Sequence, residues 1–267
     1  MEFQRIGFLG CGNMGSALAR AAAKHTKRIL LANRTLSKAQ TLALELGVQP
    51  AQNWDVAQYC DLIFLGVKPQ MMKGLLEELA PDLRERKDRF VLVTMAAGLT
   101  IETIRSMAGG DYPVIRIMPN TPASIGEGMI LYCAQGVKPE ELAAFRILMA
   151  GAGRLDELPE GLIDAGSALS GCGPAFVYPF IEALADGAVA CGLPRQKAQQ
   201  YAAQTLIGAA KLVLESGEHP GALKDAVCSP GGSTIQGVRA LEQGGFRGTV
   251  MEAVIAAYQK TVDLGKQ

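Results

Sequence analysis

From Phe3 to Glu157 the chain alternates short apolar runs of strand length with longer stretches whose apolar residues return at helical spacing. The runs are Phe3–Leu9, Arg28–Ala32, Asp61–Val67, Phe90–Thr94 and Val114–Ile117. The helical stretches between them are Met14–Lys24, Leu36–Leu46, Gln70–Leu79 and Ile101–Met107. Strands alternating with helices of this length predict a mostly parallel sheet with right-handed crossovers and helices on both faces. A strand at Met129–Cys133, a helix at Pro139–Ala150 and a last strand at Gly153–Glu157 complete it.

Beyond about Glu160 strand signals stop and several helical segments follow. Ala175–Cys191 is apolar around nearly its whole circumference, as a helix buried on all sides would be. Pro194 is expected in the first turn of the next helix, where its missing N–H costs nothing. That helix carries an apolar stripe through Ala198, Tyr201, Ala202, Thr205, Leu206, Ala209, Leu212 and Val213. The expected architecture is α/β: a Rossmann-type domain over 1–159, then an all-α domain over 160–267. So small a helical domain needs another copy of itself to cover its central helix, which predicts a dimer through these helices.

Composition narrows the class. Of 267 residues, 49% are hydrophobic and 19% charged, with 26 basic and 26 acidic residues cancelling to zero net charge. A disordered chain is excluded, and nucleic acid or an anionic membrane is not expected as a partner. The 6 cysteines form no C-x-x-C pair, so no metal is expected and free thiols suit a reducing cytoplasm. No charged leader with an apolar run precedes Gly10, and Ala175–Cys191, carrying Pro179, Glu182 and Asp186, is short for a bilayer. A cytoplasmic protein is expected.

Gly10-Cys11-Gly12-Asn13-Met14-Gly15 lies between a predicted strand and a predicted helix. Its first glycine suits a tight turn, its second lets backbone approach a pyrophosphate, and its third lets helix pack on strand. The helix start offers free N–H groups and a positive dipole end. At the end of the second strand an NAD site usually places an acid, whereas this chain reads Asn33-Arg34-Thr35. Arg34 can pair with a 2′-phosphate, and Asn33 and Thr35 can donate to it. NADPH is therefore expected, with NADH weaker, although an exposed loop arginine is the plainer alternative.

Candidates for acid–base work are few. The 2 histidines, His25 and His219, fall at a helix end and beside Pro220. Oxidising an alcohol needs a base. A cyclic imine that arrives protonated needs only a hydride and orientation. Met118-Pro119-Asn120-Thr121-Pro122-Ala123 ends a strand, and Ser170-Gly171-Cys172-Gly173-Pro174-Ala175 leads into the apolar helix. Ser229-Pro230-Gly231-Gly232-Ser233-Thr234 leads into another helix beginning near Thr234. Its glycines, hydroxyls and helix N–H groups could receive a carboxylate, or its hydroxyls could simply cap the helix. Glu182 and Asp186 share a helix face and could hold a water or a loop, or form a structural ion pair.

Gly10–Gly15, Val67-Lys68-Pro69-Gln70, Arg116–Pro122, Ser170–Ala175, Glu182–Gly187, Gly192-Leu193-Pro194 and Ser229–Thr234 together resemble the motifs of the pyrroline-5-carboxylate reductase family. They occur in that family's order along almost the whole chain. The resemblance implies reduction of 1-pyrroline-5-carboxylate to L-proline by hydride from NADPH, the last step of proline biosynthesis. It implies cofactor contacts at Gly10, Cys11, Gly12, Asn13, Met14, Gly15, Asn33, Arg34, Thr35, Asn53, Val67, Lys68, Pro69, Met95, Ala96, Ala97 and Asn120. For the substrate it implies Ser229, Gly231, Gly232, Ser233, Thr234 and Glu160, with Thr234 bonding the ring nitrogen. It also implies dimers interlocked through the C-terminal helices, in some members assembled into decamers.

The chain departs from the family pattern in places. Cys172 stands where serine is usual, Ser233 where alanine or threonine is common, and Ala226 where asparagine can stand. Pro179 falls inside a helix and should kink it or cost about 3 kcal/mol. Two other readings compete with the resemblance. A β-hydroxyacid dehydrogenase of similar architecture would place a lysine and an asparagine within Ala175–Glu182, which has neither. A non-catalytic NADP sensor would have no use for a carboxylate-receiving loop.

Overall fold

The computed structural model describes residues 3–264. One sheet holds β1 (Ile6–Leu9), β2 (Ile29–Ala32), β3 (Gln49–Pro50), β4 (Leu62–Leu65), β5 (Val91–Thr94), β6 (Val114–Met118), β7 (Gly128–Gln135) and β8 (Gly153–Glu157). Their order is β3-β2-β1-β4-β5-β6-β7-β8. All neighbours are parallel except β6 and β7, which run antiparallel. The link between those two holds only a 3-10 turn, Thr121–Ile125, too short for the crossover that a parallel return requires.

Helices α1 (Asn13–Ala23), α2 (Leu36–Leu46), α3 (Asn53–Tyr59), α4 (Pro69–Glu85), α5 (Ile101–Ala108) and α6 (Pro139–Met149) cover the two faces. Successive side chains of a strand point to opposite faces, so Phe8 and Leu9 serve different cores. Phe8 stacks on Phe64 at 4.3 Å between ring centroids in a core with Leu18, Leu31 and Phe145. Leu9, Ile63 and Leu65 meet Met72, Leu76 and Ile104 in the other. The doubly covered, mostly parallel sheet matches the expected fold.

Differences from the sequence reading are local. Helix α3 is too short to show a period; it is held by Asp55, whose carboxylate accepts from the Gln52 amide at 2.9 Å. Helix α4 continues past Leu79 through Pro81, because Leu83 extends its buried stripe of Met72, Leu76 and Leu79.

Helix α7 (Glu160–Ser170) packs on β7 and puts Ile163 into the second core. The compact units divide after Cys172, so α7 groups with the sheet, as do residues 257–264. Residues 1–2 and 265–267 of the expected domains lie outside the described residues.

The second unit, Gly173–Ala256, contains α8 (Gly173–Ala190), α9 (Arg195–Ser216), α10 (Pro220–Val227), α11 (Ser233–Gln243) and most of α12 (Phe246–Leu264). Helices α8 and α9 meet along Ala185, Ala198 and Ala202, flanked by Ile181, Ala188, Val189 and Leu193. Helix α8 is not the all-round buried helix that its composition suggested. Its own chain buries only Ala185, while Val177, Tyr178 and Leu184 stay exposed. Pro179 sits inside it without ending it, and Pro194 caps α9 rather than entering its first turn.

The stretch Glu160–Ala190 is long and apolar enough, by length and composition, to cross a membrane. It is nonetheless two helices separated at Gly171–Cys172, and the first is pinned to the sheet by carboxylates described below.

Candidate functional site

The strand order reverses between β1 and β4, and this type of sheet binds ligands outside the carboxyl ends of the strands at such a point. Gly10 has φ +109°, and a methyl group there would lie 2.6 Å from the Gly66 carbonyl oxygen. A methyl on Gly15 would lie 2.1 Å from the Gly10 carbonyl oxygen. Both positions therefore demand glycine, one for its backbone angle and both for close approach. Gly12 differs: nothing lies within 4 Å of where its side chain would project. It caps α1, whose first turn holds no acid and whose N-cap uses no side chain. Open backbone beside unpaired helix N–H groups fits a pyrophosphate.

Behind this turn the Cys11 amide donates to Asn33 Oδ1 at 3.0 Å, and Asn33 Nδ2 donates to the Thr35 carbonyl at 3.0 Å. The Cys11 thiol lies against the Ala32 carbonyl, and burial pushes it up to about 11. Cys60 and Cys133 are buried likewise, raised by desolvation to about 12 and about 11, so none of the three is poised as a nucleophile.

A cleft of about 530 Å³ opens here, in the range of ligand sites. It gathers Gly10, Gly12, Asn33, Arg34, Thr35, Asn53, Val67 and Lys68, all expected from the sequence. Pro69 opens α4 beside it, and α4 presents Gln70, Met71, Gly74, Leu75 and Glu78 to the same space. Asn13 and Met14 start α1. Asn53 Nδ2 donates to Glu78 Oε1 at 3.1 Å. The α4 residues and Lys38 were not singled out in the sequence. A helical face beginning after Val67-Lys68-Pro69 was the available signal for the former, and a basic residue one turn beyond Arg34 for the latter.

Met95-Ala96-Ala97 follow β5 and Asn120 follows β6, at the same carboxyl edge of the sheet. Asn120 is buried and both polar atoms of its side chain are bonded: Oδ1 accepts from the Met129 amide and Nδ2 donates to the Ser170 carbonyl, both at 2.9 Å. Glu160 is engaged as well. Its Oε1 accepts from the Ile101 amide at 2.7 Å and lies 3.5 Å from Arg116. Arg116, 1% exposed in the middle of the sheet, also reaches Asp164 at 2.5 Å. Arg116 thus ties the N-terminal half of α7 to β6, and Asn120 holds its last residue, an arrangement for which the sequence offered no local signal.

In the second unit, the Gly232 amide donates to the Ser229 carbonyl at 3.1 Å across Pro230-Gly231, and Gly231 has φ +69°. Proline followed by a positive-φ glycine is the signature of a type II turn. Gly232 allows Ser229 to fold over it, since a side chain there would come within 2.4 Å of the Ser229 hydroxyl. Helix α11 starts at Ser233 with Gly232 as its N-cap and no side-chain cap. The plain capping alternative therefore does not hold: Ser233 and Thr234 occupy the first turn with exposed side chains. Elsewhere in this unit Asp186 pairs with Arg195, and His219 caps α10 by accepting from the Gly221 amide, so both are structural.

Comparison with known proteins places these features in one family. Residues 160–264 match the profile of pyrroline-5-carboxylate reductase dimerisation, and residues 5–98 that of NADP oxidoreductase, coenzyme F420-dependent. The chain is 41% identical to pyrroline-5-carboxylate reductase of Escherichia coli (strain K12), over 98% of this chain and 99% of that protein. It is 42% identical to the soybean (Glycine max) protein of that name, over 98% and 97% respectively. The crystal structure of Plasmodium falciparum pyrroline carboxylate reductase with NADP bound superposes with a TM-score of 0.87 at 34% identity, covering 99% of each chain. The chain belongs to the pyrroline-5-carboxylate reductase family.

Proposed function

We propose that this protein reduces 1-pyrroline-5-carboxylate to L-proline with NADPH, as a cytoplasmic enzyme of proline synthesis. The observation that carries this reading is the turn Ser229–Gly232 set against the uncapped start of α11. Its amide N–H groups, together with the Ser229, Ser233 and Thr234 hydroxyls, form a receptor suited to a small carboxylate. Thr234 is the hydrogen-bond partner of the ring nitrogen and orients the imine.

Gly10–Gly15 and the start of α1 hold the pyrophosphate, and Arg34 and Thr35 face the 2′-phosphate. Asn53, Val67, Lys68 and Pro69 flank the ribose, and Met95–Ala97 border the nicotinamide end with Asn120. When bound, NADPH supplies the hydride that converts the protonated imine to the secondary amine. Because the nitrogen keeps the proton it arrived with, the chain needs no strong general base for that step. Asn33, Asn120 and Glu160 also fix the loops through their backbone and side-chain contacts.

The working unit in this reading is a homodimer formed through the C-terminal helices, which covers Val177, Tyr178, Leu184, Met251 and Ile255. Light scattering distinguishes a dimer from a decamer, and a monomeric mass at micromolar concentration would remove this part of the proposal.

The enzymatic part is tested by mixing the protein with pyrroline-5-carboxylate and NADPH and following the nicotinamide absorbance. Substrate-dependent oxidation is expected. Thr234→Ala should slow turnover by about a hundredfold while NADPH binding stays intact. No oxidation by the wild-type protein would refute the function.

A further inference from the structure

We propose that Lys38 is a second cation for the 2′-phosphate and, with Arg34, sets the preference for NADPH over NADH; this rests on the dinucleotide reading above. The sequence pointed to Arg34 with Asn33 and Thr35 as donors. The structure gives Asn33 a further task in the loop itself. Its oxygen accepts from the Cys11 amide and its nitrogen donates to the Thr35 carbonyl, so the side chain holds the loop together. Beside it on this rim are Arg34, Thr35 and Lys38.

Lys38 lies in the first turn of α2, its amide bonded to the Thr35 carbonyl at 3.1 Å, and it lines the same cleft as Arg34. Among the described residues neither cation has a carboxylate partner. Three other cations of this part of the chain are committed: Arg20 holds Glu45 at 2.8 Å, Lys24 the Gly151 carbonyl and Lys27 the Leu46 carbonyl. The first turn of α2 carries no acid, and Thr35 leaves its hydroxyl out of the cap. Glu78 is the one carboxylate among the residues lining the cleft, and Asn53 holds it.

A 2′-phosphate carries roughly two negative charges near neutral pH, which one arginine would leave half compensated. Two free cations, a hydroxyl and a helix start meet that charge. NADH has only a hydroxyl to offer there and gains nothing from Lys38. Both cations are exposed, so their effect is moderate and screened by salt.

The experiment uses the full chain. The single tryptophan, Trp54, follows Asn53 in the chain and serves as the fluorescence probe, with dinucleotide binding also measured by calorimetry. Lys38→Met is expected to weaken NADPH about tenfold while NADH changes less than about twofold. Lys38→Arg should retain the wild-type preference. Added salt should weaken NADPH less steeply in Lys38→Met than in the wild type. The fragment 2′,5′-ADP should lose affinity in Lys38→Met, and 5′-AMP should not. Unchanged NADPH binding in Lys38→Met, or equal losses for NADPH and NADH, would overturn the proposal. A wild-type protein that binds neither dinucleotide would instead overturn the reading on which it rests.

Discussion

The sheet unit and the helical unit use similar apolar residues and bury them to different ends. In the sheet unit Phe8, Phe64, Phe145, Leu18 and Ile63 are each at most 1% exposed, because helices close over both faces of one sheet. In the helical unit the fully covered side chains are the alanines of the α8–α9 seam, while Tyr178, Leu184, Met251 and Ile255 face outward. One layer of helices lacks a second surface to pack against. The sheet unit satisfies its core within the chain, whereas the helical unit is composed for an interior that its own chain does not supply. The match of residues 160–264 to a dimerisation profile agrees with that difference.

The largest expected effect separates the two kinds of core. Phe64→Ala removes a ring stacked on Phe8 and should cost about 4 kcal/mol, lowering the sheet unit's thermal midpoint at any protein concentration. Calorimetry that showed a loss below about 1 kcal/mol would mean that this core is not closed as described. A smaller effect marks the helical unit. Tenfold dilution should cost about 1.4 kcal/mol if its stability comes from a partner copy, so its midpoint falls with concentration. A midpoint independent of concentration would erase the contrast.

The smallest effect concerns pH and belongs to the sheet unit. Burial of Glu141 opposes its ionisation, but the Arg89 guanidinium and the Lys138 amide outweigh that and hold its carboxyl below 4.5. A carboxylate with a lowered native pKa contributes stability above its unfolded value and loses it as pH falls through the folded one. The wild type should therefore lose about 1 kcal/mol more than Glu141→Gln on acidification below pH 4.5. Parallel acid melts of the two proteins would show that the pair contributes nothing.

Legibility followed the range of the interactions concerned. Helix α2 could be read to its last residue because apolar spacing and a terminal glycine are local signals. Gly10 and Gly15 could be read because the constraint acts on their own backbone or on neighbours five residues away. Helix α3 was missed because seven residues show no period, and the return of β7 because link length alone decided its direction. Asn33, Asn120 and Glu160, expected at ligands, also bond Cys11, Met129, Ser170, Ile101 and Arg116, contacts that no local pattern announced.

By itself, then, the sequence determined the alternation of strands and helices, the glycine turn, the acid-free end of β2 and the Ser-Pro-Gly-Gly turn, all set by residues a few positions apart. Only the tertiary structure decided which partners the polar residues at the sheet's edge hold. It bonded Asn33 into the loop and left Lys38 facing the cleft, it tied α7 to the sheet through Arg116, and it left α8 uncovered by its own chain. Those outcomes depend on partners distant in the chain, and burial and hydrogen bonding assign such partners only once the backbone has brought them together.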